Sequence, residues 1–248
     1  MMPLVTVVTP TVCTKHLQQA MDSVANQTYK NIQHLVVIDG IQLGRPPAGK
    51  AGSVDILQLP YNTGHSQYNG HRIYGMAPFL AKGEYICYLD EDNWMDTEHI
   101  ERLVEVVGPG KADWAYSLRK IVDEDGNYIC NDDCESLGNW SSVLSGNDNF
   151  VDVNCFFLPT KLALTFSPGW YRRARHPDEQ PEVDRLLSWF LIHQNGGTNT
   201  KKLNIGWSGK YTINYRVGSR ADSVQAQFFL KGNAKKAEWT NNEYPWRK

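Results

Sequence analysis

The chain has 248 residues and 25 Lys and Arg against 27 Asp and Glu, a formal charge of −2. It therefore lacks the basic excess that a non-specific nucleic-acid or membrane-surface binder needs. Its 41% hydrophobic and 21% charged residues suit an ordinary globular α/β domain, large enough to hold a core without disulfide staples. Five cysteines, Cys13, Cys87, Cys130, Cys134 and Cys155, are odd in number and scattered, as expected of reduced thiols in a cytoplasmic protein. Cys130 and Cys134 have no second pair to complete a tetrahedral zinc. The opening MMPLVTVVTPT has no basic start before a long apolar stretch, so no signal peptide is expected. No segment reaches the ~20 apolar residues of a membrane span.

In chain order, Leu4 to Val8 is an apolar run expected to form a strand buried on both faces, ending in Thr9-Pro10-Thr11. Leu17, Ala20, Met21 and Val24 make one helical stripe. Ile32 to Ile38 reads as a second strand stopping at Asp39-Gly40, and Val54 to Leu59 as a weaker third after a glycine- and proline-rich loop. A helix is predicted over about 66–81. Tyr85 to Leu89 is then a fourth strand, running into Asp90-Glu91-Asp92. Ile100, Leu103, Val104 and Val107 mark another helix. Strands alternating with helices in this way predict βαβ units and a Rossmann-like, mostly parallel central sheet. The second half is less regular. Trp114 to Val122 and Tyr128 to Ile129 flank a turn at Asp123-Glu124-Asp125-Gly126, and Val151 to Leu158 is a strand. Val183, Leu186, Leu187, Phe190 and Leu191 give the best helical stripe, Tyr211 to Tyr215 is a last strand, and a polar tail is expected from about Gly232.

Asp90, Glu91 and Asp92 directly follow an apolar strand. In an open α/β sheet the carboxyl ends of the strands are where ligands bind. Mg²⁺ and Mn²⁺ prefer carboxylate oxygens and keep waters and substrate phosphates as their other ligands, so one or two carboxylates there suffice for a metal–diphosphate. An acidic triplet also suits the turn before a helix, and taken alone that reading has the better odds.

Context shifts the balance. The segment VTVVTPTVCTKHLQQAMDSVANQTYKNIQHLVVIDG resembles the opening of glycosyltransferase family 2, including its Ser-Val-x-x-Gln-Thr-Tyr stretch at Ser23, Val24, Gln27, Thr28 and Tyr29. NTGHSQYNG and AKGEYICYLDEDNW resemble the family's next two blocks in the right order, the second ending in its Asp-x-Asp motif. The resemblance covers roughly residues 4–107. It implies a GT-A type fold, with a nucleotide-sugar-binding half over 1–110, an acceptor-binding half over 111–231 and a tail over 232–248. It implies that Asp39 meets the donor's nucleobase and that Thr9, Pro10, Thr11, Asn62 and Asn69 line the donor pocket. Asp90 would lie on the nucleotide side, and Asp92 would ligate Mn²⁺ or Mg²⁺ with Asp90 beside it. The implied partners are a UDP- or GDP-linked sugar donor and a glycan acceptor. Glu91, in the variable middle position, receives no role. Where the family often has a late histidine, Gly218 stands in Tyr215-Arg-Val-Gly-Ser-Arg. Arg216 and Arg220 are cations suited to a diphosphate.

Inverting transfer needs a carboxylate that takes the acceptor's proton. The family's base sits in an acidic pair opening a helix, and HPDEQPEVDRLLSW resembles that place. Asp184 is the first choice, with Glu182 and Asp178 in reserve. Acidic residues in a first helical turn also stabilise the helix by ~0.3–1 kcal/mol without any chemistry. Trp140, Trp170, Tyr171 and Trp207 are candidates for stacking on sugar rings. Three competing readings remain: a nucleotidyltransferase, which would usually show a Gly- and Lys-rich loop after its first strand, a catalytically inert carbohydrate-binding relative, and a retaining transferase.

Overall fold

The computed structural model describes residues 2–41, 54–66, 68–108, 110–143, 149–171, 183–193, 202–218 and 223–248. The first strand, β1 (Val5–Thr11), is buried along its whole length, which is why it reads as an uninterrupted apolar and Thr-rich run. It pairs in parallel with β2 (Ile32–Ile38) on one side and β4 (Tyr85–Tyr88) on the other, while β3 (Val54–Gln58) pairs in parallel with β2 at the edge. Helix α1 (Leu17–Ala25) buries Leu17, Ala20, Met21 and Val24, the stripe read from the sequence. The chain thus moves from β1 to β2 and β3, then returns across β1 to β4. The sheet changes direction between β1 and β4, and the crevice at their carboxyl ends is the topological switch point where such sheets bind ligands.

Beyond β4 the sheet becomes mixed. Strand β8 (Phe156–Pro159) is antiparallel to β4 and to β6 (Trp114–Val122). Strand β6 also carries β7 (Tyr128–Asn131) as a hairpin partner and runs parallel to β9 (Ile205–Arg216). A two-residue strand, β5 (Trp94–Met95), pairs with β9 and brings the end of the acidic loop against Asn214 and Ile213. Among the described residues the order is β3-β2-β1-β4-β8-β6-β9-β5. One large core joins Val5, Val7 and Tyr88 to Trp114, Phe156 and Leu187, so the two halves share a single interior.

The family-like residues after α1 have a structural purpose. Gln27 is 1% exposed. Its amide donates to the carbonyls of Ser23 and Asp96 and accepts from the N–H of Ile100, tying α1 to α3 (His99–Val106).

Several boundaries differ from the sequence reading. The helix expected over 66–81 is the shorter α2 (His71–Met76), followed by a 3-10 turn over Ala77–Phe79, because Pro78 cannot donate into a continuing helix. The strand expected from Val151 begins only at Phe156. The Asp152 side chain accepts from the N–H of Asn154 and starts a one-turn helix, Val153–Cys155. Helix α4 (Thr160–Phe166) has no counterpart in the sequence reading. The last strand is longer than Tyr211 to Tyr215, running through Gly209 at φ +70. The expected polar tail instead begins inside a helix, α6 (Ala226–Trp239). Phe229 from α6 packs with Ile121, Cys134, Val143 and Val217, and Trp246 is 0% exposed. The Trp246 indole donates to Asp133 at 2.7 Å, as does the Arg247 guanidinium at 2.5 Å. All five cysteines are free thiols, and Cys134 Sγ hydrogen-bonds Asp132 and the carbonyl of Phe229. No described helix is long and apolar enough to cross a membrane.

Candidate active site

The carboxyl ends of β2, β1 and β4 lie side by side, and each delivers polar residues to the crevice. Asp39 follows β2 and is 4% exposed. Its Oδ1 accepts from Thr63 N–H at 2.6 Å and from the Thr63 hydroxyl at 2.8 Å, and its Oδ2 accepts from Gly64 N–H at 2.8 Å. This carboxylate therefore organises the loop that enters α2. Gly64 is required there, since a Cβ would lie 2.4 Å from the Asn69 carbonyl oxygen. Asn62 accepts from His65 N–H at 2.8 Å, and Asn69 adopts φ 48 at the far side of the same loop. Arg72 donates to the Thr63 carbonyl and stacks on Tyr68, with 3.5 Å from guanidinium carbon to ring centroid.

At the end of β1, Thr9 is 0% exposed and its hydroxyl pairs with His34 at 2.9 Å in the interior, where burial pushes the imidazole down to about 4. Its side chain thus stands behind the crevice. Pro10 is also buried, and Thr11 is 2% exposed. Beyond them, Glu91 has a clear structural role. Its Oε2 accepts from the Thr11 hydroxyl at 2.6 Å and from Thr14 N–H at 2.9 Å, and its Oε1 accepts from Val12 N–H at 3.0 Å. The middle residue of the acidic triplet thus grips the loop that follows β1.

Asp90 stands immediately after β4. Tyr74 of α2 donates its hydroxyl to one carboxylate oxygen, and Asn154 donates to the other at 2.9 Å while accepting Asp90 N–H at 2.7 Å. Burial, then the neighbouring charge of Asp92, raise the Asp90 pKa well above the ordinary carboxylate range. Two carboxylates held so close that they oppose each other's ionisation are a fit for a divalent cation, which relieves that repulsion. Among the described residues no cluster of three or more His, Cys, Asp or Glu forms a ready cage. A cation here would rest on Asp92 and Asp90 and complete its shell with phosphate and water, a coordination that suits Mg²⁺ or Mn²⁺ better than zinc.

Asp184 lies in the first turn of α5 (Val183–His193). Burial and the charge of Asp152 push its carboxyl up to about 6, against smaller opposing contributions from Arg185 and Arg119. Asp152 also raises Asp90, so one carboxylate neighbours both ends of the site. Asp152 is held by the buried Arg119, whose guanidinium also bonds Asp132 at 2.8 Å. Asp132 in turn accepts from the N–H groups of Cys134, Glu135 and Ser136. Glu135, 1% exposed, pairs with Arg185 at 2.6 Å and so fixes the start of α5 beside Asp184.

The structure therefore sets Asp90 beside Asp92, with Asp152 adding its charge to both Asp90 and Asp184, places Asp39 at the neighbouring strand end, and adds Tyr74, Glu91, Arg119 and Asn154. Glu182, Asp178 and Arg220 lie outside the described residues. Arg216 is engaged with protein partners. Its guanidinium donates to the carbonyls of Asp92 (3.0 Å), Asp123 (3.3 Å) and Glu124 and to Gln19 Oε1 (2.7 Å), bracing the acidic loop from behind. Gly218 adopts φ +73. Trp170 is 0% exposed, packed on Tyr74 and Tyr88, which removes it from sugar stacking. Trp140 packs edge-on against Trp207 and Trp246, and Tyr171 is exposed.

Comparison with known proteins agrees with this fold. A sequence profile described as Glycosyl transferase family 2 matches residues 6–140. Glycosyltransferase GlyA of Streptococcus pneumoniae serotype 4 is 27% identical over 126 residues, covering 49% of this chain and 16% of that protein. Residues 1–349 of S. aureus TarS in complex with UDP superpose with a TM-score of 0.57 at 16% identity, covering 86% of this chain and 60% of that one. The same TarS fragment with UDP-GlcNAc gives 0.56 at 14% identity, covering 95% and 66%. This chain thus spans about a sixth of the curated relative and under two thirds of the TarS fragment bound to UDP. At such identities the superposition establishes the GT-A fold. Since the profile spans more than half of the sequence and the sheet carries its acidic motif at the switch point, the chain belongs to glycosyl transferase family 2.

Proposed function

We propose that this protein is an inverting glycosyltransferase that moves a sugar from a nucleoside diphosphate donor, UDP-linked in the first instance, to an acceptor hydroxyl. The observation that carries the reading is the pairing of Asp90 and Asp92 at the switch point, with Asp152 as the shared neighbour of Asp90 and of Asp184. Asp39 and the 62–70 loop flank the nucleobase end of the crevice, and the Glu91-gripped loop after β1 flanks the phosphates. The UDP and UDP-GlcNAc complexes of TarS support a uridine donor.

In this mechanism the acceptor hydroxyl hydrogen-bonds Asp184. As its oxygen bonds the anomeric carbon, the proton passes to the Asp184 carboxylate. The bond from that carbon to the diphosphate oxygen breaks, and the nucleoside diphosphate leaves with the electron pair, inverting the configuration. A base pushed up to about 6 is still ionised near neutral pH and is a stronger proton acceptor than an ordinary carboxylate. Asp92, with Asp90 alongside, would hold Mn²⁺ or Mg²⁺, which would supply neutralisation of the charge gathering on the leaving diphosphate. The five free thiols suit a cytoplasmic setting.

The test is a thermal-shift screen of UDP, GDP, CDP and dTDP with and without Mn²⁺, followed by turnover with the matching sugar nucleotides and NMR of the product's anomeric configuration. Binding raises stability by about 2.7 kcal/mol at a hundredfold excess over Kd. A flat response to all four nucleotides overturns the reading, and a retained anomeric configuration overturns its inverting mechanism.

A further inference from the structure

The acidic motif is held by two side chains that lie far from it in sequence, one on each side of Asp90. Tyr74 is 2% exposed and wedged between Tyr88, at 5.0 Å between ring centroids, and Trp170, at 5.2 Å. Its ring has nowhere to turn, so its hydroxyl is aimed at Asp90 Oδ1. Asn154 is 0% exposed and makes three bonds around the same point. Its carbonyl oxygen accepts Asp90 N–H at 2.7 Å, and its amide donates to Asp90 Oδ2 at 2.9 Å and to Asp152 Oδ1 at 2.8 Å. Backbone and both carboxylate oxygens of Asp90 are therefore held at once.

We propose that Tyr74 and Asn154 are positioning residues that clamp the Asp90 carboxylate in its donor-binding orientation, and that Asn154 ties this orientation to the base-bearing half through Asp152. The proposal rests on the functional reading above. A nucleotide or cation meeting a carboxylate that already points correctly loses no free energy in ordering it, which is what partners behind a ligating group provide. Neither clamp residue is exposed enough to touch the donor itself, so each acts through Asp90. The link onward is continuous: Asp152 bonds Arg119, Arg119 bonds Asp132, and the Asp132 loop carries Glu135, which holds Arg185 beside Asp184.

The experiment is calorimetric titration of UDP in the presence of Mn²⁺ into the wild-type protein, Tyr74→Phe, Asp90→Asn and the double variant. Tyr74→Phe keeps the ring packing and deletes only the hydroxyl. Its expected effect is a roughly tenfold weaker Kd. The double variant should bind no more weakly than Asp90→Asn alone, because the clamp has nothing left to hold. Asn154→Ala should weaken UDP by at least as much, provided it melts cooperatively; should it fail to fold, the phenylalanine variant decides. Wild-type affinity in Tyr74→Phe, or losses that multiply in the double variant, overturns the clamp. A wild-type protein that binds no nucleoside diphosphate overturns the functional reading instead, so the two failures are distinguishable.

Discussion

The two sides of the crevice hold their carboxylates by different means. On the nucleotide side, Asp39 and Glu91 accept hydrogen bonds from backbone N–H groups and hydroxyls of adjoining loops, Thr63 and Gly64 in one case and Thr11, Val12 and Thr14 in the other. On the side proposed for the acceptor, Asp132, Asp152 and Glu135 are held by arginines from other elements, Arg119 in β6 and Arg185 in α5. Loop donors shape the chain around a charge, whereas buried arginines neutralise it. The first arrangement orders the loop that follows β1 and the loop that enters α2. The second gives an interior where one carboxylate, Asp184, is left only partly compensated and so becomes a stronger base.

The sharpest way to break this comparison is Asp184→Asn. As general base its removal should lower kcat by about 10²–10⁴-fold, with UDP affinity little changed, because the proposed donor contacts are other residues. The wild-type kcat/KM should fall as pH drops through about 6, where the Asp184 carboxyl takes up its proton. A variant that retains full turnover with an unchanged pH profile would move the base elsewhere.

Next in size is Arg119→Met. It leaves Asp132 and Asp152 buried without their cation, a loss of about 3–5 kcal/mol in urea unfolding. Adding Asp132→Asn and Asp152→Asn should return much of that stability, because the cost lies in uncompensated charge more than in the pair itself. Without that recovery, the buried cluster is not a charge-neutralising unit.

The contrast also explains what is legible in the sequence. Asp39, Asp90 and Asp92 each terminate an apolar strand, and strand ends are local patterns. Glu91 sits between two of them, yet its grip on Val12 and Thr14 depends on β1 and β4 being neighbours, which no local pattern states. Asn154 reaches Asp90 across 64 residues and Arg119 reaches Asp152 across 33, so neither shows as a motif. Arg216 reads as a phosphate ligand because a cation near an acidic motif suggests one, while the carbonyls it braces carry no residue signature. Helix α6 escapes the sequence pattern because its lysines, Asn233 and Gly232 interrupt the apolar side chains, Ala226, Phe228 and the buried Phe229, that dock it. The sequence resemblance is strongest in the half whose sites are built from local segments, and the family profile ends at residue 140.

Glu91→Gln probes the loop-donor side at smaller amplitude. Glutamine keeps one acceptor but turns an amide toward the N–H and hydroxyl that Oε2 received. Losing one such bond is worth about 1–1.5 kcal/mol, or roughly a tenfold rise in donor KM, with kcat nearly unchanged because Asp184 is untouched. A fall in kcat at constant KM would instead place Glu91 in the chemical step.

The smallest effect follows from the same carboxylate as the largest, read through stability. The folded-state pKa of Asp184, pushed up to about 6, lies above its unfolded value of about 3.9. Between those two pH values the folded chain holds the proton more tightly, so this group's contribution to stability falls as pH rises through the window and stays low above it. Asparagine has the shape of the protonated acid and never ionises. Asp184→Asn should therefore match the wild type below about pH 4 and exceed it above pH 6. The gain at pH 7.5 is about 1 kcal/mol, a fraction of the roughly 3 kcal/mol that the full rise in pKa would carry, or about 2–4 °C in Tm for a chain of this size. Melting curves of both proteins from pH 4 to 8 make the comparison. An asparagine variant that is less stable at every pH would mean that Asp184 is a helix-start residue, ordinary in its energetics, and that the base belongs elsewhere on the acceptor side.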